Sequence, residues 1–320
     1  MRRLALINIL WALIVITLGA LTRLLDAGLG CPDWPVCYGQ IIPQANDAAE
    51  QFLHWDFDSG KAWMEMIHRY AASALGLSIV IQAIIIWPRY SGAVVWLSIF
   101  LVFWVVLQGM FGMWTVTLRL WPPVVSAHLL GGAITLGAQF LIWRTLTSNQ
   151  QPKFNNVWGA FALVVFLQMA LGAWTSSQYA GLACPDFPTC QGRMWVDIDS
   201  SVFEAPMVQG DEYLGGILSM QQRMAIQWLH RLGALVVILL FIYLAINKKH
   251  QRRALYFVFA CLSIQILLGI LNAVLLLPLS LALLHNTFGM LLFISVLNGL
   301  SVKTKKTAKD KYPEELIASF

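Results

Sequence analysis

The segment Glu65-Met66-Ile67-His68-Arg69 places a carboxylate, an imidazole and a guanidinium at the mouth of a long apolar run. Glu65 and His68 stand at i and i+3, so on a helix they share one face. Ionisable groups at the start of a membrane helix are expensive, and such groups mark functional sites. A second segment, Gln227-Trp228-Leu229-His230-Arg231, also opens an apolar run. It keeps the imidazole and the guanidinium and replaces the acid with an amide.

Six histidines are present. His54 falls in a polar loop and His250 in a Lys/Arg-rich one, and both read as solvated bystanders. His68, His128, His230 and His285 each lie within about two turns of one end of an apolar run. At ~1.5 Å rise per residue all four sit roughly 5–10 Å below one membrane surface. A lone membrane histidine reads first as a packing residue, but four in a repeated layout point to a site. Two imidazoles from two helices of a bundle suit axial ligation of a haem iron. Zinc or copper would call for flanking thiolates or carboxylates. No C-x-x-C-H occurs, which argues against covalent haem attachment. Arg69 and Arg231 are candidates for haem propionates. The competing reading is a snorkelling interface anchor.

The two segments differ in a way that redundant sites would not need. A carboxylate one turn from a ligand position can act as a base or stabilise positive charge, whereas Gln227 can only hydrogen-bond. Arg23 against Ser176 differs in the same direction. The expectation is chemistry in the first half and electron transfer in the second. The bland alternative is drift between duplicated halves.

Four of five cysteines form two C-x5-C pairs, Cys31–Cys37 and Cys184–Cys190. In an oxidising compartment such pairs default to disulfides. They are read either as structural staples or as redox-active pairs. Cys261, mid-helix, reads as a small core residue.

These side chains need a scaffold. The chain has 320 residues, 58% hydrophobic and 12% charged. Soluble domains carry about 25% charged residues, so the expected class is an all-α integral membrane protein, and a mean hydropathy of +0.68 agrees. The net charge of +5 comes from residues scattered through loops, which fits topology signals and no nucleic-acid surface. Eight spanning runs fall at roughly 4–25, 63–87, 93–117, 123–144, 156–177, 224–246, 254–276 and 280–301. The first is too long for a cleaved signal peptide. Fourteen of the 21 Lys and Arg lie in connections or termini on one side. This predicts a multi-pass protein of a bacterial inner membrane with both termini cytoplasmic, and outer loops at 26–62 and 178–223.

From Gly19 to Gly39, twelve residues recur between Gly172 and Gly192 at a constant offset of 153, including Cys-Pro-Asp and the second Cys. Gln108 precedes His128 by 20 residues and Gln265 precedes His285 by 20. The chain therefore reads as two parallel four-helix-bundle repeats related by an axis along the membrane normal. Residues 1–150 and 151–302 form the halves, and 303–320 a basic cytoplasmic tail.

The Thr-Arg…Gly-Leu-x-Cys-Pro-Asp-Trp-Pro-x-Cys loop, the Glu-x-x-His-Arg helix start and the four spaced histidines together resemble the haem A synthase family, over about residues 1–302. The resemblance implies oxidation of the C8 methyl of haem O to a formyl group with water-derived oxygen. It implies His68 and His128 about the substrate iron, His230 and His285 as haem b ligands, and Glu65 as the catalytic carboxylate. Arg23 joins Arg69 and Arg231 as a candidate propionate contact. The cysteine pairs match outer-loop pairs found in some members. Haem O synthase and the cytochrome oxidase assembly machinery are the implied partners, with quinone as a candidate electron acceptor. Two alternatives are a membrane thiol–quinone oxidoreductase, suggested by the cysteine pairs, and a non-enzymatic haem b electron conduit, which has no use for the Glu65/Gln227 difference.

Overall fold

The computed structural model describes residues 1–44, 52, 57–147, 153–198, 213–247 and 251–302. His54, His250 and the basic tail lie outside the described residues. Among the described residues, eight helices are long and apolar enough to cross a membrane. They are α1 (Arg2–Leu24), α2 (Ser59–Ile86), α3 (Ala93–Thr117), α4 (Pro122–Thr147), α5 (Asn156–Ser177), α6 (Met220–Asn247), α7 (Arg252–Val274) and α8 (Leu279–Gly299).

Six of the eight begin within two residues of the runs expected from hydropathy. The exceptions are α2 and α6, each about a turn longer at its start. Hydropathy misses these turns because they are polar: Ser59-Gly60-Lys61 opens one and Gln221-Gln222-Arg223 lies in the other. The α2 extension is capped, since the Asp58 side chain accepts a hydrogen bond from the Lys61 N–H at 3.1 Å. Asn155 caps α5 in the same way through the N–H groups of Val157 and Trp158. Pro122 opens α4, where its missing N–H leaves no unmet donor.

Helices α1, α4, α5 and α8 form an inner group, with α1 on α4 and α8, and α5 on α4 and α8. Helices α2 and α3 pack outside α1 and α4, while α6 and α7 pack outside α5 and α8. Helix α4 is the most buried. Gly131, Ala133, Gly137 and Ala138 keep its side chains small, which lets neighbouring helices approach closely where burial of apolar surface cannot drive association. The outer helices turn large apolar groups outward, such as Trp96 and Phe103 of α3 and Tyr256 and Phe257 of α7.

At the end opposite the disulfide loops, Lys153–Phe154 pairs antiparallel with Ser301–Val302. Arg2 there donates to the Leu146 carbonyl at 2.7 Å, and Arg144 bonds to Asn298, joining α4 to α8.

Candidate active site

Helices α2 and α4 bring His68 and His128 together with ring centroids 6.3 Å apart and planes at 90°. Helices α6 and α8 do the same for His230 and His285, at 6.4 Å and 79°. Each ring lies against a glycine of a neighbouring helix. A Cβ built on Gly19 would come 2.8 Å from His68 Cε1. The corresponding distances are 3.3 Å for Gly112 to His128, 3.1 Å for Gly172 to His230 and 3.1 Å for Gly269 to His285. The bare backbone is what leaves room for each ring. Gly112 and Gly269 each precede their histidine by 16 residues, a spacing that was available in the sequence beside the glutamine spacing.

The glutamines hold the histidine-bearing segments. Gln108 donates to the His128 carbonyl at 2.7 Å, and Gln168 to the His230 carbonyl at 2.9 Å. The Gln168 amide also contacts His230 Nδ1 at 3.0 Å, and the Gln265 amide contacts His285 Nε2 at 3.2 Å. Position 15, the counterpart of Gln168, is Val, so no side-chain amide stands in the corresponding place beside His68. Gln168 was not picked out by sequence reasoning, because its own repeat counterpart is apolar.

The pairs fit a haem iron. Metal–nitrogen bonds of about 2.0–2.1 Å on either side, plus the radius of each five-membered ring, put the centroids of two axial imidazoles roughly 6 Å apart. Each ring fills the gap left by a glycine of the neighbouring helix, a cradle that a side chain there would close. Among the described residues no three His, Cys, Asp or Glu converge as a metal set, so a closed zinc site is not built here.

Above each pair, a disulfide loop is fastened to the helix that carries the first histidine. Cys31 is bonded to Cys37 and Cys184 to Cys190. All four cysteines are fully buried, which denies a thiolate the access that exchange requires. Asp33 folds the first loop from within by accepting from the N–H groups of Tyr38 at 2.7 Å and Gly39 at 2.9 Å. Asp186 does the same for Gln191 at 2.6 Å and Gly192 at 2.9 Å. The Thr189 hydroxyl, followed by the Gly192 N–H, holds the Asp186 carboxyl below its usual range, at about 2.

Glu65 sits beneath the first loop and Gln227 beneath the second. Glu65 Oε2 accepts from the Cys31 N–H at 3.0 Å, and Oε1 pairs with Arg69 at 2.5 Å. Gln227 Oε1 accepts from the Cys184 N–H at 2.6 Å, and its Nε2 donates to the Gly181 carbonyl at 3.0 Å.

The three arginines are engaged. Arg69 donates to the carbonyls of Val36 at 2.8 Å and Asp33 at 3.1 Å. Arg231 donates to Thr189 at 2.6 Å and Cys184 at 2.8 Å. Arg23 donates to the Ser176 carbonyl at 2.6 Å, pairs with Asp26 at 3.2 Å and stacks 3.9 Å over Tyr179. The Tyr179 hydroxyl donates to Asp26 at 2.8 Å. Burial pushes the Tyr179 phenol up. This group joins α1 to α5 at the loop end.

Eight membrane-length helices carrying two half-buried imidazole pairs, each under a fastened disulfide loop, define a multi-pass membrane protein with a duplicated histidine site. The profile of the COX15-CtaA family, cytochrome oxidase assembly protein, matches residues 2–297, and the chain belongs to that family. It is 38% identical to a heme A synthase of Shewanella oneidensis over 91% of this chain and 92% of that protein. It is 26% identical to one of Bacillus cereus over 96% and 95%. With one of Shouchella clausii it shares 25% identity over 84% and 83%.

Proposed function

We propose that this chain is a haem A synthase: an oxidoreductase that takes the C8 methyl of haem O to a formyl group with oxygen from water. The observation that carries the reading is two matched imidazole pairs of which only the first stands beside an acid. The family and the named relatives support it.

On this reading residues 1–150 form the substrate half, and His68 and His128 hold the iron of haem O. The first oxidation converts CH3 and H2O to CH2OH with release of two electrons and two protons. The second gives a gem-diol, which loses water to the aldehyde. Glu65 is the base toward the attacking water, or the anion that stabilises charge at the methyl carbon. Its ion pair with Arg69 and its bond to the Cys31 N–H fix its position. Arg69, Arg231 and Arg23 remain candidates for propionates because a guanidinium carries five donors.

Residues 151–302 form the second half, where His230 and His285 suit haem b. A haem b there would supply one-electron transfer toward an acceptor of the quinone class. The disulfide loops face the periplasm and both termini the cytoplasm of a bacterial inner membrane. Haem O synthase and the oxidase assembly machinery are the partners for delivery and use. The buried sulfurs speak against the thiol–quinone reading.

The test is turnover of haem O by the purified protein in H2(18)O. The expected product is haem A, with label in the hydroxymethyl intermediate. Haem O recovered unchanged under oxidising conditions, with haem bound, would leave only an electron conduit.

A further inference from the structure

Below the first histidine pair, α1, α2 and α4 carry a buried polar cluster that their sequence counterparts lack. Ser78 donates to Asn8 at 2.6 Å. Asn8 donates to Gln82 at 2.6 Å, and Gln82 to Gln139 at 3.1 Å. Asn8, Gln82 and Gln139 are each 1% exposed or less. The repeat counterparts of Asn8, Ser78, Gln82 and Gln139 are Phe161, Leu240, Leu244 and Val296. Of these, Phe161, Leu244 and Val296 are also buried, so the same places in the other half are dry packing.

The chain of amides ends unsatisfied. Gln139 Oε1 is used by Gln82, while Gln139 Nε2 is buried with no hydrogen-bond partner. Reversing the amides leaves an open acceptor at the same end, so one hydrogen-bonding position stays open either way. An orphaned buried amide of this kind is destabilising unless something small and polar meets it. Along α4, Gln139 stands one turn from Thr135, whose hydroxyl bonds the Gly131 carbonyl at 3.0 Å. Gly131 is in turn one turn from His128. In α8 the counterparts of Gly131, Thr135 and Gln139 are Phe288, Leu292 and Val296. A strip of small and polar positions about 16 Å long thus runs from His128 to the amide cluster on α4 alone.

We propose that Asn8, Ser78, Gln82 and Gln139 form an internal water site, and that Thr135 extends it toward the His68/His128 pair. The ligand is water, the one species small and polar enough to satisfy Gln139 inside this packing. In its role the site rests on the function proposed above. The two protons released with each two-electron step leave the His68/His128 pair along this seam.

Radiolytic hydroxyl labelling of the purified full chain in H2(18)O tests it, because bound water labels the side chains around it. Ile79, Leu136 and Ile142, each within a turn of the cluster and fully buried, are expected to label several-fold more than Leu244 and Val296. The variant Gln139→Val with Thr135→Leu, which installs the second half's own residues, is expected to lose that excess. It is also expected to turn over more slowly with unchanged haem content. Equal labelling in the two halves of the unaltered protein overturns the water site, whether or not the variant folds. Lost labelling with unchanged turnover overturns the proton route. Failure to make haem A at all, with the labelling excess intact, sinks the synthase reading and leaves the water site standing.

Discussion

Glu65 and Gln227 hold one and the same backbone group in the two halves: each accepts a hydrogen bond from the N–H of the first cysteine of its loop, at 3.0 Å and 2.6 Å. The acid is therefore not needed to build the loop, since an amide does so in the second half. Glu65→Gln is expected to leave expression, thermal stability and bound haem near wild type. Haem A formation should fall by at least about a hundredfold, the usual scale for losing a general base. Product analysis by mass spectrometry checks this, and normal haem A output would remove Glu65 from the chemistry.

The contact of Gly19 with His68 makes a prediction whose sign is decided by geometry. Gly→Ala inside a helix ordinarily gains up to about 1 kcal/mol. A Cβ here would stand 2.8 Å from His68 Cε1, closer than real contacts allow. Gly19→Ala is expected to shift the ring and reduce haem held by the first pair, while the second pair keeps its occupancy. Optical titration with haem resolves the two sites.

Replacing Cys31 and Cys37 together with Ser removes a ring that is 0% exposed at both sulfurs. A loop this short contributes about 2 kcal/mol by chain entropy. Asp33 and Arg69 still fasten it. A lower unfolding temperature with haem A formation kept within several-fold is expected. Complete loss of activity in a protein that still binds haem would restore a redox role for the pair.

Asp186 gives the second loop a defined acid response. Its folded carboxyl is held at about 2 against an ordinary 3.8, so the unfolded loop binds the proton more readily. The stabilisation is fully present above about pH 4 and is lost as pH falls through about 2. The group lies partly exposed on the outer loop, so solvent screening keeps the effect small and local. Hydrogen exchange of the Gln191 and Gly192 amides should be flat from pH 7 down to about 4, after correction for intrinsic rates. It should accelerate below that, and Asp186→Asn should abolish the change.

The helices and the histidine pairs were legible in the sequence because both obey simple periodicities. Apolar runs of membrane length give the spans, and Gln–His spacing repeated at 20 residues marks the pairs. What stayed hidden depends on three-dimensional approach. Gly19, Gly112, Gly172 and Gly269 look like ordinary helix glycines until a ring is found on each. Arg23, Arg69 and Arg231 looked free for an anionic ligand; their carbonyl partners lie 33 or more residues away, beyond the reach of any local pattern. Hydropathy also hid the Asn8–Gln82–Gln139 cluster, since single polar residues barely lower the mean of a spanning run.

The proposed function requires that two separate imidazole pairs each hold one haem. Quantifying haem by optical spectroscopy and mass spectrometry in purified His68→Ala and His230→Ala proteins tests it. The prediction is that His68→Ala loses haem O or A and keeps haem b, and that His230→Ala does the reverse. Unchanged haem content in both variants, or loss of every haem from either one with the protein still folded, would contradict two independent sites.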